Sequence, residues 1–443
     1  MIPKNKVFNE LWNPIESYLW EQINQEVAKP LLMEQLTSIF SRSSFYRKKF
    51  AGSLLNRALG LPDFKHLPFT EKHELVDDEQ TNPPFGSYLA TNPESIVRVH
   101  RTSGTSALPL ILALSQTDIE QTVECGARCF WAAGLRPNDM VVHCLNYCMW
   151  SGGLTDHQSL ERTGAAVIPY GVGNSSNLIR TILSLRPTAI HCTPSYLTRL
   201  QTILKQEFSM EPRALGLSLG LFGGEGGLQD SDFRRHIEEV WGFRAMDANY
   251  GAADILSMFG AECHARDGLH FMGQGVIHPE LKNLKDDTIL NWEKGARGEF
   301  VFTSLRKECQ PLVRYRSHDV VEILDINPCL CGRKSPRFKI VGRLEDMLVV
   351  RGINVFVSSI AACINRNLDR LTGEFRIRVN RKDPIEQCIV AVEAKTNKDY
   401  EGLEQNLEEQ FRQLIYFKPV VEILAEGSLP RTEGKTHRLE RIL

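Results

Sequence analysis

Apolar side chains recur along this chain at two spacings, and the spacing changes with position. Over the first ninety residues they fall three and four apart, as in Glu21–Ala28 and Met33–Phe40, which predicts amphipathic helices. From about 95 to 320, short β-branched runs alternate with amphipathic stretches. The runs are Met140–Leu145, Ala166–Tyr170, Ala189–Thr193 and Leu217–Phe222, and the helix candidates include Asp118–Ala132 and Asp230–Trp241. That alternation predicts an α/β fold of βαβ units on mainly parallel sheets flanked by helices. At 298–324 the strands lengthen (Gly298–Ser304, Asp319–Leu324), which predicts a small barrel-like subdomain or a distorted sheet. After Arg343 a compact block follows. Its elements are a strand, a helix around Ser358–Leu368, strands Glu374–Val379 and Gln387–Ala394, a helix Asp399–Leu414 and a strand Val420–Leu424. This is a small α+β module, long enough for its own core. Two domains are therefore expected, 1–342 and 343–443, joined by a short hinge without a Pro/Gly/Ser linker.

Composition narrows the class. The chain has 443 residues, 42% apolar and 24% charged, with a net charge of −2. No global field draws it to nucleic acid or an anionic membrane. The N-terminal residues lack the apolar core of a signal peptide, and no apolar run approaches a bilayer's width. Eleven cysteines in such a chain predict reduced thiols, with a metal site as the exception. The expectation is a soluble, cytoplasmic enzyme, monomer or homodimer.

Several segments carry chemistry. Residues 102–109 offer hydroxyls from Thr102, Ser103, Thr105 and Ser106, with Gly104 admitting close approach of backbone amides to phosphate. A polar surface loop has the same composition, and no Gly-Lys-Ser/Thr follows it to open a helix, as a Walker loop requires. At 222–227, glycines around Glu225 (Gly223 and Gly224 before it) leave bare backbone against which a flat ring can lie; a tight strand-to-helix turn needs the same glycines. In Asn249-Tyr250-Gly251-Ala252-Ala253-Asp254, Tyr250 suits adenine stacking and Asp254 suits Mg²⁺. Asp319 can accept both hydroxyls of a ribose, or Arg316 can be its structural partner. Arg343 stands at the predicted domain junction, Gly352 leaves room for a narrow thiol-bearing arm, and Lys435 sits on a Gly-flanked turn near the C-terminus.

Taken in order, these segments resemble the acyl-adenylate-forming superfamily and, more narrowly, the phenylacetate–coenzyme A ligase family. The resemblance covers roughly 70–443. It rests on Arg101-Thr-Ser-Gly-Thr, Trp150-Ser-Gly-Gly-Leu, Thr193-Pro-Ser-Tyr, Val313-Arg-Tyr-Arg, Gly342-Arg-Leu-Glu-Asp-Met, Arg351-Gly-Ile-Asn-Val-Phe and Leu429-Pro-Arg-Thr-Glu-Gly-Lys. It implies that a carboxylic acid is activated by Mg·ATP to an acyl-adenylate and then passed to the thiol of coenzyme A. Delivery to a carrier-protein thiol, or transfer of AMP to another acceptor, is the alternative; a non-enzymatic ATP-binding scaffold is a more distant one. Carried over, the 102–109 loop with Thr105 cradles phosphate, Asp319 and Arg343 serve the ribose side, and Tyr250 lies by adenine. Asp254 stands where a Glu usually acts on Mg²⁺. Glu345 is the hinge residue, Gly352 lines the pantetheine tunnel, and Lys435 is catalytic. The loop ends Ala107-Leu108-Pro109 where Gly-Lys-Pro is usual, so a cation near the phosphates is missing.

The resemblance also places an acid pocket beside Tyr147, Cys148, Trp150, Phe222, Gly224, Tyr250 and Ala252. An aromatic wall over small residues suits a flat aryl or arylacetic monocarboxylate, although ordinary core aromatics would read the same way. Arg351, Arg431, His437 and Arg438 are candidates for the 3′-phosphate of coenzyme A. Finally, Cys263, His270, Cys329 and Cys331 form a Cys₃His set suited to structural zinc, with His264 as a substitute ligand. The competing reading is buried thiols beside an unrelated histidine. Some relatives carry a similar arrangement.

Overall fold

The structure is a computed structural model that describes residues 11–51, 64–102, 109–350, 353–380, 385, 388–396, 398–431 and 436–442. Its contacts divide the chain into two units, Met1–Gly171 with Met246–Lys339, and Val172–Ala245 with Ile340–Leu443. Residues 172–245 thus group with the C-terminal block. Among the described residues no helix is long and apolar enough to cross a membrane.

In the first unit, Lys29–Arg42 forms the expected helix, with Leu32, Leu36 and Ile39 buried along one face. Helix Gln116–Ala132 begins at a capping box. The Ser115 hydroxyl accepts from the Asp118 amide, and the Asp118 carboxylate accepts from the Ser115 amide. Asp118 also accepts from the amides of Glu308 (2.7 Å) and Cys309 (3.1 Å), so one carboxylate fastens both a helix start and a distant loop. Strands Met140–His143 and Ala166–Pro169 pair in parallel, joined through helix Ser151–Arg162, as the alternating pattern predicts. The longer strands are antiparallel. Arg297–Ser304 pairs with Ile277–Lys282 and Tyr315–Asp325, with a register shift between Glu299 and Val301. Past Arg297 every residue of its strand is buried, so both faces of the sheet are covered. Arg244–Ala252 and Leu256–Ala261 form a hairpin whose turn carries Asp254.

In the second unit, Ala189–Cys192 and Leu219–Gly223 pair in parallel and are wholly buried. The C-terminal block is a sheet ordered Val420–Leu424, Cys388–Ala394, Leu371–Val379, Leu439–Arg441, with an antiparallel centre and parallel outer pairs. Helices Val357–Asn365 and Leu403–Ile415 pack together, and Ile360, Ile364, Leu407 and Phe411 join the sheet in one core. The strand Leu439–Arg441 is an addition to the pattern read from sequence. It pairs in parallel with Leu371–Val379 four residues beyond Lys435, which lies outside the described residues.

Candidate active site and metal centre

The predicted phosphate loop is carried by a hairpin. Arg98–Arg101 pairs antiparallel with Ile111–Leu114, and Thr102 closes the neck. Its amide donates to the Leu110 carbonyl (3.0 Å), and its hydroxyl accepts from the Leu110 amide (2.9 Å). Thr102 therefore joins the two flanking strands through both its amide and its hydroxyl. Ser103, Gly104, Thr105 and Ser106 lie outside the described residues, as do Gly352 and Lys435. Sequence reading missed the support beneath the hairpin. Gln310 accepts from the Ala113 amide (2.7 Å) and donates to the Ile111 carbonyl (3.1 Å), while Glu79 accepts from the Ile111 amide (3.0 Å).

The structure joins two predicted nucleotide positions directly. Tyr250 Oη donates to Asp319 Oδ2 at 2.9 Å, and the Tyr250 ring packs edge-on against Phe259 and Phe338. Gly251 is required where it stands: an added Cβ would lie 2.0 Å from the Ser257 carbonyl oxygen, because the hairpin strands approach closely there. Asp254 Oδ2 accepts from Tyr315 Oη (2.5 Å) and lies 3.9 Å from Lys72 Nζ. This carboxylate is buried and oriented, and oxygen ligation of Mg²⁺ suits it.

Arg316 is not the partner of Asp319. Its guanidinium forks onto Glu299 (3.0 and 2.7 Å) and reaches Glu71 (2.6 Å). His318 Nε2 bonds Glu71 at 2.9 Å, and Glu299 also accepts the His318 amide at 3.2 Å. The His318 contact, with help from Arg316, holds the Glu71 carboxyl down at about 2 against desolvation; the same contact raises His318. This network sets the backbone immediately before Asp319, where His318 has φ 61°. Its acidic members lie far away in sequence, which is why no local pattern reveals them.

On the predicted acid wall, Tyr147 and Trp150 are half-buried, which separates them from ordinary core aromatics. Tyr147 Oη lies 2.9 Å from His157 Nδ1, and Trp150 is the residue before helix Ser151–Arg162. Cys148 is exposed. Asn249 donates to Asp156, a fully buried carboxylate absent from the sequence reading, whose pKa burial pushes well up despite that bond. Asp156 Oδ2 and the Trp150 ring both lie 3.5 Å from the position a Cβ would take at Gly152, so Asp156 adjoins Trp150.

In the second unit, Phe222 is in the core, its ring 5.8 Å from that of Phe243. Gly223 ends the strand and Gly224 turns at φ 78°. Glu225 then accepts from the amides of Ser195 (3.3 Å) and Thr436 (2.5 Å). The residue following Lys435 is thus tied to the glycine-rich turn. Arg343 and Glu345 occupy a tight turn in which the Asp346 amide donates to the Arg343 carbonyl (3.2 Å), and Glu345 is exposed. Two cations proposed for coenzyme A are already paired: Arg431 with the buried Glu393, and Arg438 with Glu374 (2.5 Å). Arg351 lies outside the described residues.

Cys263, His270, Cys329 and Cys331 are all buried, with their ligand atoms within 4.8 Å of one another. A zinc tetrahedron with ordinary Zn–S and Zn–N bonds has edges of about 3.8 Å (S···S) and about 3.6 Å (S···N). The Cys263–Cys329 sulfurs are 3.7 Å apart, and Cys331 Sγ is 3.6 Å from His270 Nε2. His270 Nδ1 contacts Ser335 Oγ at 3.3 Å, an outer contact that leaves Nε2 for the metal. The knuckle closes through Gly332 N to Cys329 O (3.0 Å) and Cys329 N to Arg333 O (2.8 Å). Arg333 in turn pairs with buried Glu16 at 2.6 Å. Among the described residues the converging histidine is His270, not His264.

Comparison with known proteins identifies the family. Residues 352–440 match the model of the AMP-binding enzyme C-terminal domain. The chain is 31% identical over 442 residues to a phenylacetate-coenzyme A ligase of Escherichia coli (strain K12), covering 98% of each chain. It is 32% identical over 435 residues to the Pseudomonas putida enzyme of that name, covering 96% of this chain and 95% of the other. A 2-hydroxyisobutyryl-CoA ligase, solved in the postadenylation state with 2-HIB-AMP, superposes with a TM-score of 0.86. It is 26% identical and covers 99% of this chain and 95% of its own. The chain belongs to the phenylacetate–coenzyme A ligase family.

Proposed function

We propose that this protein activates an aryl or arylacetic acid with ATP and transfers the acyl group to coenzyme A. The observation that carries this reading is the 2.9 Å hydrogen bond between Tyr250 and Asp319, which brings the adenine and ribose positions expected of the family together. In the first step a carboxylate oxygen attacks the α-phosphorus of ATP and pyrophosphate leaves. In the second, the thiol sulfur of coenzyme A attacks the acyl carbon and AMP leaves. Asp319 binds the ribose with Arg343 near it, the 102–109 loop with Thr105 holds the phosphates, and Asp254 would hold Mg²⁺, which would screen their charge. Lys435 contacts the substrate carboxylate and the α-phosphate, stabilising two anions that must approach. Glu345 is the hinge, and Gly352 leaves the path for the pantetheine arm.

The residues matching the family's acid-binding positions are Tyr147, Trp150, Tyr250 and Ala252 in the first unit and Phe222 and Gly224 in the second, with Trp150 and Tyr147 supplying the aromatic surface. The fit of the Cys₃His edges to a zinc tetrahedron supports a closed structural zinc site, with no open position for catalysis. Acid-dependent exchange of labelled pyrophosphate into ATP tests the function. A Lys435→Ala variant should lose about 10²-fold or more of that exchange while still binding ATP. Undiminished exchange in the variant would remove the role given to Lys435, and no exchange with any acid in the wild-type protein would remove the function.

A further inference from the structure

Tyr147 lies on the segment Cys144–Trp150, which joins strand Met140–His143 to helix Ser151–Arg162 without being part of either. Its backbone is irregular. Asn146 Oδ1 accepts from the Cys148 amide at 2.9 Å, and Met149 has φ 56°. No helix or sheet ladder directs a side chain on such a segment, so the Tyr147 ring takes its orientation from what it touches.

What it touches is the helix that follows. Gly153, in the first turn, approaches the segment so closely that an added Cβ would lie 2.2 Å from the Asn146 carbonyl oxygen and 2.7 Å from Tyr147 Cα. Four residues on, His157 Nδ1 is 2.9 Å from Tyr147 Oη. Four residues further, Glu161 Oε1 is 3.0 Å from His157 Nε2, the spacing that brings side chains together on one helix face. His143 meets the Tyr147 ring edge-on, with centroids 5.4 Å apart and planes at 88°. Its Nε2 donates to the Gly153 carbonyl at 2.8 Å, and burial holds its pKa down at about 4, so it brings no charge to the ring at neutral pH.

The direction of the hydrogen bonds follows from the groups. A carboxylate only accepts, so His157 Nε2 carries a proton, and in the neutral imidazole Nδ1 then offers a lone pair. The Tyr147 hydroxyl, whose pKa burial pushes up, keeps its proton and donates to that lone pair. The Gly153 contact thus fixes one end of Tyr147 and the His157 bond fixes the other. Glu161 is 57% exposed, so its ion pair adds little to stability. Its contribution is the tautomer of His157.

We propose that His157 is a positioning residue for the acid. Through Nδ1 it holds the Tyr147 ring ready to meet a flat aryl substrate, and Glu161 sets the tautomer that makes this bond. The inference rests on the acid-binding reading of Tyr147 and deepens it. A side chain already ordered before binding costs less when the ligand arrives, so loss of the bond falls on the affinity for the acid and spares ATP.

The test is pyrophosphate exchange with phenylacetate in the wild-type protein, His157→Gln, His157→Asn, Tyr147→Phe and the double variant Tyr147→Phe with His157→Gln. The shorter Asn sets an amide oxygen near the place of Nδ1, whereas Gln sets its amide near the place of Nε2. His157→Gln should raise KM for phenylacetate about tenfold, as expected for one lost hydrogen bond, and KM for ATP by less than about twofold. His157→Asn should recover most of that loss. Tyr147→Phe already removes the bond, so adding His157→Gln to it should change KM by less than about twofold. A KM for ATP that rises together with that for the acid in both His157 variants would mark a structural role and overturn the proposal. Independent effects in the double variant, or an unchanged KM in His157→Gln, would overturn it too, with adenylation left standing. No exchange with any aryl acid in the wild type would overturn the acid-activating reading and this inference with it.

Discussion

The network around Arg316 and the face of helix Ser151–Arg162 both bury polar groups in the first unit, but they treat them differently. Glu71, Glu299, Arg316 and His318 pair acid with base at 2.6–2.9 Å, each group answered by one of opposite charge. On the helix, Thr155 Oγ1 has no partner among the described residues, and burial rather than pairing dominates the state of Asp156. The Cys₃His set, with its ligand atoms within 4.8 Å of one another, is grouped with the helix on the proposal that zinc completes it. A network complete in itself serves stiffness and holds Asp319 in place. Thr155 Oγ1, by contrast, is a buried polar atom that the described residues do not complete. Removing members should harm the first region, whereas occupancy should govern the second.

The largest effect should come from the metal. Protein purified without chelator should carry about one equivalent of zinc, bound in one closed site. Stripping it, or introducing Cys331→Ser, should lower Tm by about 10 °C or more, because binding free energy at such a site is folding free energy. The knuckle lies beside the buried Arg333–Glu16 pair, so loosening it exposes a charge pair that is costly to separate. A metal-free protein with unchanged Tm would place the cysteines with the self-sufficient region instead.

Next is Glu71→Gln, which should cost about 1–3 kcal/mol by leaving Arg316 and His318 short of an acceptor. Its pH signature separates it from a simple packing defect. Glu71 titrates at about 2 in the fold against an ordinary value of 4.5, so its contribution is complete above 4.5 and is lost as pH falls towards 2. His318 is raised, so its contribution is complete below about 6.5 and is lost as pH rises through the higher folded value. The variant should flatten the stability profile at both ends and raise KM for ATP through the displaced Asp319. Denaturation midpoints between pH 2 and 8 that parallel the wild type would break the argument.

How much of this was legible in the sequence depends on how local the signal is. Helix Val357–Asn365 and strand Val420–Leu424 follow from apolar spacing, which neighbouring residues set among themselves. The Tyr250–Asp319 pair was legible only as two motifs, and their separation of 69 positions hides the bond between them. The Cys₃His set, with His270 rather than His264, was legible as residue types, and the strand Leu269–Phe271 places His270 among the three cysteines. Glu71 and Asp156 were invisible, because nothing near them announces partners 247 and 93 residues away. The strand Leu439–Arg441 is too short for any periodicity to show, and its existence depends on the edge offered by Leu371–Val379.

The smallest expected effect sharpens the contrast most, because its sign is opposite. Burial raises Asp156 well above the ordinary carboxylate value, so the folded state takes up a proton that the unfolded state releases. Stability from this residue is therefore present below about pH 3.9 and falls as pH rises towards its folded value. Asp156→Asn keeps an oxygen for the Asn249 amide while removing the charge. It should stabilise the protein by about 1 kcal/mol at pH 8 and by almost nothing at pH 3.5. Glu71→Gln should do the reverse, destabilising most near neutrality. Urea midpoints for both variants at the two pH values measure the difference directly. If Asp156→Asn were destabilising at pH 8, the buried carboxylate would be a satisfied member of a charge network, and the division between the two regions would fail at that residue.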